Sequence, residues 1–283
     1  MEGILSSIIA GEYKVFCDGA FFSCTVKKSL KNSKKILVGS KVTFDESKML
    51  ITEIEEPKNS LIRPNVCNVD LAVVVSSIVE PLFSTYLILK FVTYFLYQRI
   101  TPIVVFTKTD LANAKNIEDL QGFLKNLEKA NIKYFVLNKF ENEKIQALKD
   151  FLKGKTCLFA GQSGVGKSSL INAIEPNFNR LIGEYSRYLN RGKHQTKENI
   201  ILPLNDDTFL VDTPGFSSLD LNMDKISIRD NFPIISDFLN QCKYDNCLHL
   251  SEPNCKIKEL VDSGEISKDW YNDYTELINN EEL

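Results

Sequence analysis

At 283 residues, with 43% hydrophobic and 25% charged side chains, the chain is long enough for two or three domains and too apolar to be disordered. Its net charge of −3 argues against indiscriminate nucleic-acid binding, and that charge is uneven: +2 over residues 1–64, +2 over 65–220 and −7 over 221–283. Seven cysteines is an odd number, and the N-terminal stretch reads as neither a basic leader nor a cleavage site, so no signal peptide and no disulfide framework are expected, and cytoplasmic thiols or metal ligands are.

From about Glu12 to Glu55 short apolar segments alternate with polar turns, as in Tyr13-Lys14-Val15-Phe16 and Phe22-Ser23-Cys24-Thr25-Val26. Five strands in this length predict an OB-type β-barrel over residues 1–64, a fold whose sheet and loops often hold oligonucleotides. Lys27, Lys28, Lys31, Lys34 and Lys35 fall around one predicted loop, either a solvated turn or a place where phosphates are neutralised. A polar linker with Arg63-Pro64 ends the segment.

Leu71-Ala72-Val73-Val74-Val75 then opens an α/β domain expected over residues 65–220. The apolar run Leu82 to Tyr97 is interrupted by Lys90 and is too short to span a membrane, so a buried helix and no membrane partner are expected. Ile103 to Phe106, Tyr134 to Leu137, Thr156 to Ala160 and Phe209 to Val211 read as strands, with a helix at Ile117 to Ala130 among the segments between them. Ile200 to Leu204 and the strand ending at Asp212 read as a hairpin. Beyond Asp220 a mainly helical third domain is expected over 221–283. It has an amphipathic segment from Ile226 to Leu239 and a last helix carrying Trp270, Tyr271, Tyr274, Leu277 and Ile278, whose aromatic stripe reads as packing.

Gly161-Gln162-Ser163-Gly164-Val165-Gly166-Lys167-Ser168, followed by Ser169, sits between a strand and a helix start, where a phosphate loop has to be. Its glycines let backbone N–H groups curl around phosphate oxygens, and the following helix adds its positive end. Lys167 bridges the β- and γ-phosphates in this reading, and the Ser168 hydroxyl ligates Mg²⁺. Asp212 ends a strand where a carboxylate holds Mg²⁺ through water, and Gly215 offers its N–H to the γ-phosphate.

Thr107-Lys108-Thr109-Asp110 reads the base. The Asp110 carboxylate accepts from N1–H and the exocyclic amino group of guanine, two donors that adenine does not present together, and Lys108 lays its methylenes on the ring. The closing segment of that pocket is expected near Val136-Leu137-Asn138, without the small Ser-Ala pair of ordinary guanine sites. In small GTPases the phosphate loop comes first and the base motif last; here the base motif leads. The domain therefore reads as circularly permuted, and whatever follows Asp212-Thr213-Pro214-Gly215 is tied directly to that switch.

Phe216 stands where a water-orienting glutamine is usual. His194 lies in the first-switch stretch, where an imidazole can position water or act as a base, and Thr196 beside it can close on Mg²⁺. Cys242, Cys247, His249 and Cys255 form Cys-x4-Cys-x-His-x5-Cys, a closed set of four that suits one structural tetrahedral Zn²⁺.

With these residues, the chain resembles the ribosome small-subunit-dependent GTPase A family, also called RsgA or YjeQ. The resemblance rests on Asn59-Ser60-Leu61-Ile62-Arg63-Pro64 through Asn68-Val69-Asp70, on Gly161 to Ser169 and on the zinc-ligand spacing. It implies an OB-fold, a permuted GTPase and a zinc domain, with GTP and GDP, Mg²⁺, the small ribosomal subunit and its rRNA as partners. It also implies GTP hydrolysis late in small-subunit maturation, and assigns His194 as the switch histidine of that hydrolysis. Gln195, Thr107 and Ser40 depart from the family's usual Thr, Asn and Asp. Two other readings remain open: a nucleotide-switched RNA-binding module with incidental turnover, and a permuted GTPase with another ribosomal client. A monomer is expected.

Overall fold

The computed structural model describes residues 1–9, 11–33, 36–62, 64–176, 178, 199–204, 207–212 and 221–280. They form two compact units. One comprises Met1–Ala72, Ile145–Phe159 and Ser168–Phe216, the other Val73–Lys144, Ala160–Lys167 and Ser217–Leu283.

The first unit opens with β1 (Glu2–Ile9), β2 (Glu12–Cys17), β3 (Ala20–Val26), the short helix α1 (Lys28–Ser33), β4 (Lys41–Asp45) and β5 (Leu50–Ile54). The strands close into a barrel in the order β1-β2-β3-β5-β4, with β3 and β5 parallel and the other pairs antiparallel. Alternating side chains from every strand fill it, among them Leu5, Val15, Cys24, Val26, Val42, Phe44, Ile51 and Ile54. β1 starts ten residues ahead of the expected Glu12. Its alternation is disguised by Ser6 and Ser7, which are polar and yet buried, and the Ser6 hydroxyl donates to the Ile201 carbonyl at 2.5 Å. Lys28 and Lys31 of the lysine cluster lie in α1 rather than in a loop, and Lys34 and Lys35 lie outside the described residues.

The linker is ordered by reciprocal amide bonds. The Asn59 side chain donates to the Val69 carbonyl at 2.7 Å and accepts from the Val69 N–H at 3.0 Å, while the Asn68 amide donates to the Gly39 carbonyl at 2.9 Å. A Cβ on Gly39 would lie 2.2 Å from the Cys67 carbonyl oxygen, so a side chain there is sterically barred. Asp70 closes the junction: its N–H donates to the Thr156 carbonyl and its carboxylate accepts from the Thr156 N–H, each at 2.8 Å.

The second sheet is built from β6 (Leu71–Ser77), β7 (Thr101–Thr107), β8 (Tyr134–Val136), β9 (Thr156–Ala160), β10 (Ile200–Pro203) and β11 (Phe209–Asp212), in the order β10-β11-β9-β6-β7-β8. The pairs β11–β9 and β7–β8 are parallel, and β10–β11 is the expected antiparallel hairpin at one edge. Its helices are α2 (Thr85–Tyr97), α3 (Ala114–Lys129), α4 (Asn142–Leu152) and α5 (Lys167–Ile174). α2 starts at Thr85 rather than at the head of the apolar run because the Ser84 hydroxyl accepts from the Leu87 N–H as an N-cap. α3 starts three residues earlier than its periodicity suggests, since Asn113 and Asn116 satisfy each other's backbone in a capping box.

The C-terminal segment holds α6 (Lys225–Asn231), α7 (Lys256–Asp262) and α8 (Lys268–Asn280). The amphipathic stretch Ile226 to Leu239 is broken into α6 and a 3₁₀ turn at Ile235–Phe238. Pro233 is the cause: it has no N–H to donate and disfavours helical geometry at Phe232, which is extended (φ −75°, ψ 126°). The stripe on α8 is buried at Trp270, Tyr274, Leu277 and Ile278, with Trp270 against Phe123 at 5.4 Å and Tyr274 against Phe232 at 5.2 Å between centroids. No helix among the described residues is long and apolar enough to cross a membrane.

Candidate nucleotide site and metal centre

Strand β9 runs into Gly161 and α5 begins at Lys167, so the glycine-rich loop occupies the turn between them. Gly161 has φ +136°, and a Cβ there would lie 2.1 Å from the Val75 carbonyl oxygen. Only glycine lets the loop leave β9 this close to β6. Val165 is buried and anchors the loop from below, leaving Ser163 and Gly164 exposed in the loop and Ser168 and Ser169 exposed in the first turn of α5. The Lys167 ammonium is half-buried and donates to the carbonyls of Gly161 and Gln162 at 2.5 and 2.7 Å. Burial lowers its pKa from the ordinary lysine value.

The base motif starts at the end of β7. Thr107 is buried, and its hydroxyl donates to the Val165 carbonyl at 2.6 Å, with the Ser76 carbonyl 3.3 Å away. The Thr107 hydroxyl thus ties the base motif to the phosphate loop. Lys108 is left-handed (φ 59°), and its ammonium donates to the Glu80 carbonyl, which holds the chain so that Thr109-Asp110-Leu111 forms one 3₁₀ turn. Asp110 is exposed on that turn. We expect Thr107→Val to weaken GDP binding about tenfold by leaving a buried carbonyl unpaired, and Thr107→Ser to retain it. Equilibrium titration with GDP measures both; equal affinity in the valine variant would assign the tether elsewhere.

Asp212 ends β11. Val211 is paired with Leu158 on β9, so Asp212 comes level with Phe159, one residue before that strand ends. Of Asp212 only the backbone is described, and His194, Thr196, Gly215 and Phe216 lie outside the described residues. The described structure therefore brings together the phosphate loop and the base motif through Thr107, and puts Asp212 at a neighbouring strand end.

The four residues of the cysteine-histidine cluster converge. Their ligand atoms all lie within 4.8 Å of one another. His249 turns Nδ1 toward the thiols, 3.5 Å from Cys242 Sγ and 3.4 Å from Cys255 Sγ, and the two sulfurs are 3.9 Å apart. Burial pushes the Cys247 thiol up to about 12, raises Cys255, and, together with the Arg229 charge, lowers His249. Two buried thiols, Cys247 and Cys255, pushed toward the neutral form beside an imidazole that resists protonation, with the Cys242 sulfur converging on them, fit a divalent cation, which would supply the missing positive charge. The supports were not visible in the spacing. Arg229 is buried and donates to the Asp245 and Cys247 carbonyls at 3.0 and 3.3 Å, while the Tyr271 and Tyr274 hydroxyls donate to the carbonyls of His249 and Leu248 at 2.6 and 2.8 Å. The aromatic stripe thus packs, as expected, and also holds the histidine's left-handed backbone (φ 60°).

A phosphate loop after β9 and a guanine-type motif after β7, two strands of one sheet with β6 between them, with the base motif earlier in the chain, define a circularly permuted P-loop GTPase. A protein-family model described as RsgA GTPase matches residues 54–222. The chain is 39% identical over 265 residues to the small ribosomal subunit biogenesis GTPase RsgA of Malacoplasma penetrans (strain HF-2), covering 91% of this chain and 90% of that one. It is 36% identical over 281 residues to the protein of that name from Mycoplasmopsis pulmonis (strain UAB CTIP), covering 98% of each. Among solved structures it is similar to YjeQ from Thermotoga maritima (TM-score 0.85, 29% identity, 99% and 97% coverage). It is also similar to YloQ, described as a circularly permuted GTPase (TM-score 0.82, 31% identity, 100% and 96% coverage). The chain belongs to the RsgA GTPase family.

Proposed function

We propose that this GTPase acts in late maturation of the small ribosomal subunit, converting GTP to GDP and phosphate at a rate set by docking on that subunit and its rRNA. The hydrogen bond from Thr107 to Val165 carries the nucleotide reading, because it joins the base motif to the phosphate loop across 58 positions of a permuted chain. The client is supported by the relatives, which are named for small-subunit biogenesis.

In this reading residues 161–169 wrap the phosphates, with Lys167 on the β- and γ-oxygens and Asp110 and Lys108 on guanine. Ser168, Asp212 and Thr196 are the groups that would hold Mg²⁺ with the nucleotide, a cation that neutralises charge on the phosphate oxygens when bound. Gly215 is proposed to meet the γ-phosphate and His194 to orient the attacking water. Cys242, Cys247, His249 and Cys255 are proposed to hold one structural Zn²⁺. The functional division is proposed as a barrel over 1–64, a GTPase domain over 65–220 and a zinc domain over 221–283, in a monomer working in the cytoplasm.

GTP turnover measured alone, with purified small subunits and with purified large subunits tests the proposal. Slow turnover alone and acceleration by the small subunit only are expected, since no glutamine follows Gly215 to order the water. Equal rates in all three would reject it, and acceleration by the large subunit would reassign the client.

A further inference from the structure

The segment that closes the base pocket carries Leu137-Asn138 where small residues are usual, and the structure gives that asparagine work to do. Asn138 leaves β8 directly after Leu137, whose N–H donates to the Phe106 carbonyl of β7 at 3.0 Å. Its side-chain oxygen accepts from the Phe140 N–H at 2.9 Å, its own N–H donates to the Glu141 carboxylate at 2.8 Å, and its carbonyl accepts from the Glu141 N–H at 3.3 Å. These bonds fix both the turn and the amide's orientation, because the oxygen must face the Phe140 N–H and the nitrogen is then directed the other way. That nitrogen donates to the Thr109 hydroxyl at 3.2 Å.

Thr109 sits between Lys108 and Asp110 in the base motif, inside a turn already tightened by bonds from Leu111 N–H to the Lys108 carbonyl and from Ala112 N–H to the Thr109 carbonyl. The turn is too short to rotate one residue without its neighbour, so a side-chain bond at Thr109 sets where the Asp110 carboxylate stands. We propose that Asn138 is a positioning residue for guanine specificity: through Thr109 it holds Asp110 at the height where both carboxylate oxygens meet the base. This rests on the assignment of Asp110 to the guanine N1–H and amino group.

The consequence is selective. Hypoxanthine keeps N1–H and the carbonyl but lacks the exocyclic amino group, so the margin between GDP and inosine diphosphate reports the second oxygen of Asp110. A carboxylate that has drifted loses that margin before it loses the whole base. A merely structural lesion weakens both nucleotides together.

The experiment titrates the full-length protein with GDP and with inosine diphosphate for wild type, Asn138→Ala, Thr109→Val, the double variant, Thr109→Ser and Asp110→Ala. Asn138→Ala is expected to weaken GDP about tenfold and inosine diphosphate no more than about twofold, the scale of one lost hydrogen bond. Thr109→Val should match it, the double variant should be no worse than either single one, and Thr109→Ser should keep the wild-type margin. Equal loss for the two nucleotides, additive losses in the double variant, or a serine variant that behaves like valine each overturn the role of Asn138. If Asp110→Ala itself leaves the margin intact, the base-site assignment falls; if it collapses the margin while Asn138→Ala does not, only the role of Asn138 falls.

Discussion

His194→Ala is expected to lower subunit-stimulated GTP turnover about a hundredfold, the low end for loss of an acid-base group, with GTP affinity within about threefold of wild type. Phe216 occupies the position that a water-orienting glutamine takes in other GTPases, and a phenyl ring can neither accept nor donate the bond that water needs. His194 is one of two histidines in the chain, and the other, His249, is committed to the cysteine cluster. His194, in the stretch expected to form the first switch, is therefore the histidine left to position water or act as a base. Single-turnover rates on saturated subunits, read beside equilibrium GTP titration, separate the two effects. A rate within threefold of wild type would transfer the water to another group. Parallel losses of rate and affinity would make His194 part of nucleotide binding instead.

How much of this could be read from the sequence depended on whether a feature is local. The phosphate loop could, because a strand, three glycines and a helix start must follow one another within fifteen residues for the backbone to turn as it does. The base motif could for a similar reason, and the barrel emerged from its period of two. What could not be read were contacts set by tertiary approach. Thr107 looked like a weakened base motif until its hydroxyl was found on Val165, 58 residues away. Asn138 looked like a missing small residue, although an asparagine two positions before an exposed Phe140 is a signal for the turn it makes. Ser6 and Ser7 hid the first strand because polar residues in a strand normally face water, and Pro233 cut a helix that hydrophobic spacing alone had extended. The support from Arg229 gave no signal; besides pairing with Asp230 it donates to the Asp245 and Cys247 carbonyls, which no residue type announces.

Cys247→Ser is expected to abolish stoichiometric zinc and to unfold the segment after residue 221, while GDP affinity stays near wild type. The magnitude follows from comparing two free energies. Metal binding to zinc-finger peptides is worth about 10–16 kcal/mol at neutral pH, whereas whole domains are stable by only about 5–15 kcal/mol. The helices here have little to fall back on: α6 and α7 are seven residues each, and the backbone between them is held by carbonyls bonded to Arg229, Tyr271 and Tyr274 around the cluster itself. Cys247 is the most informative ligand to change because it is buried, and serine there is a near-isostere whose hydroxyl binds zinc far less readily than a thiolate does. Nucleotide affinity is expected to persist because the phosphate loop and the base motif are tied to each other by Thr107. Subunit-stimulated turnover should nonetheless fall at least about tenfold, since permutation attaches this segment directly to the second switch, and a tenfold loss needs only about 1.4 kcal/mol of disturbed coupling. Metal content, far-ultraviolet circular dichroism, GDP affinity and stimulated turnover on the same preparation decide it. One zinc per chain in the variant would remove Cys247 from the ligand set, and full stimulation from zinc-free protein would show that the switch does not work through the metal-bearing segment.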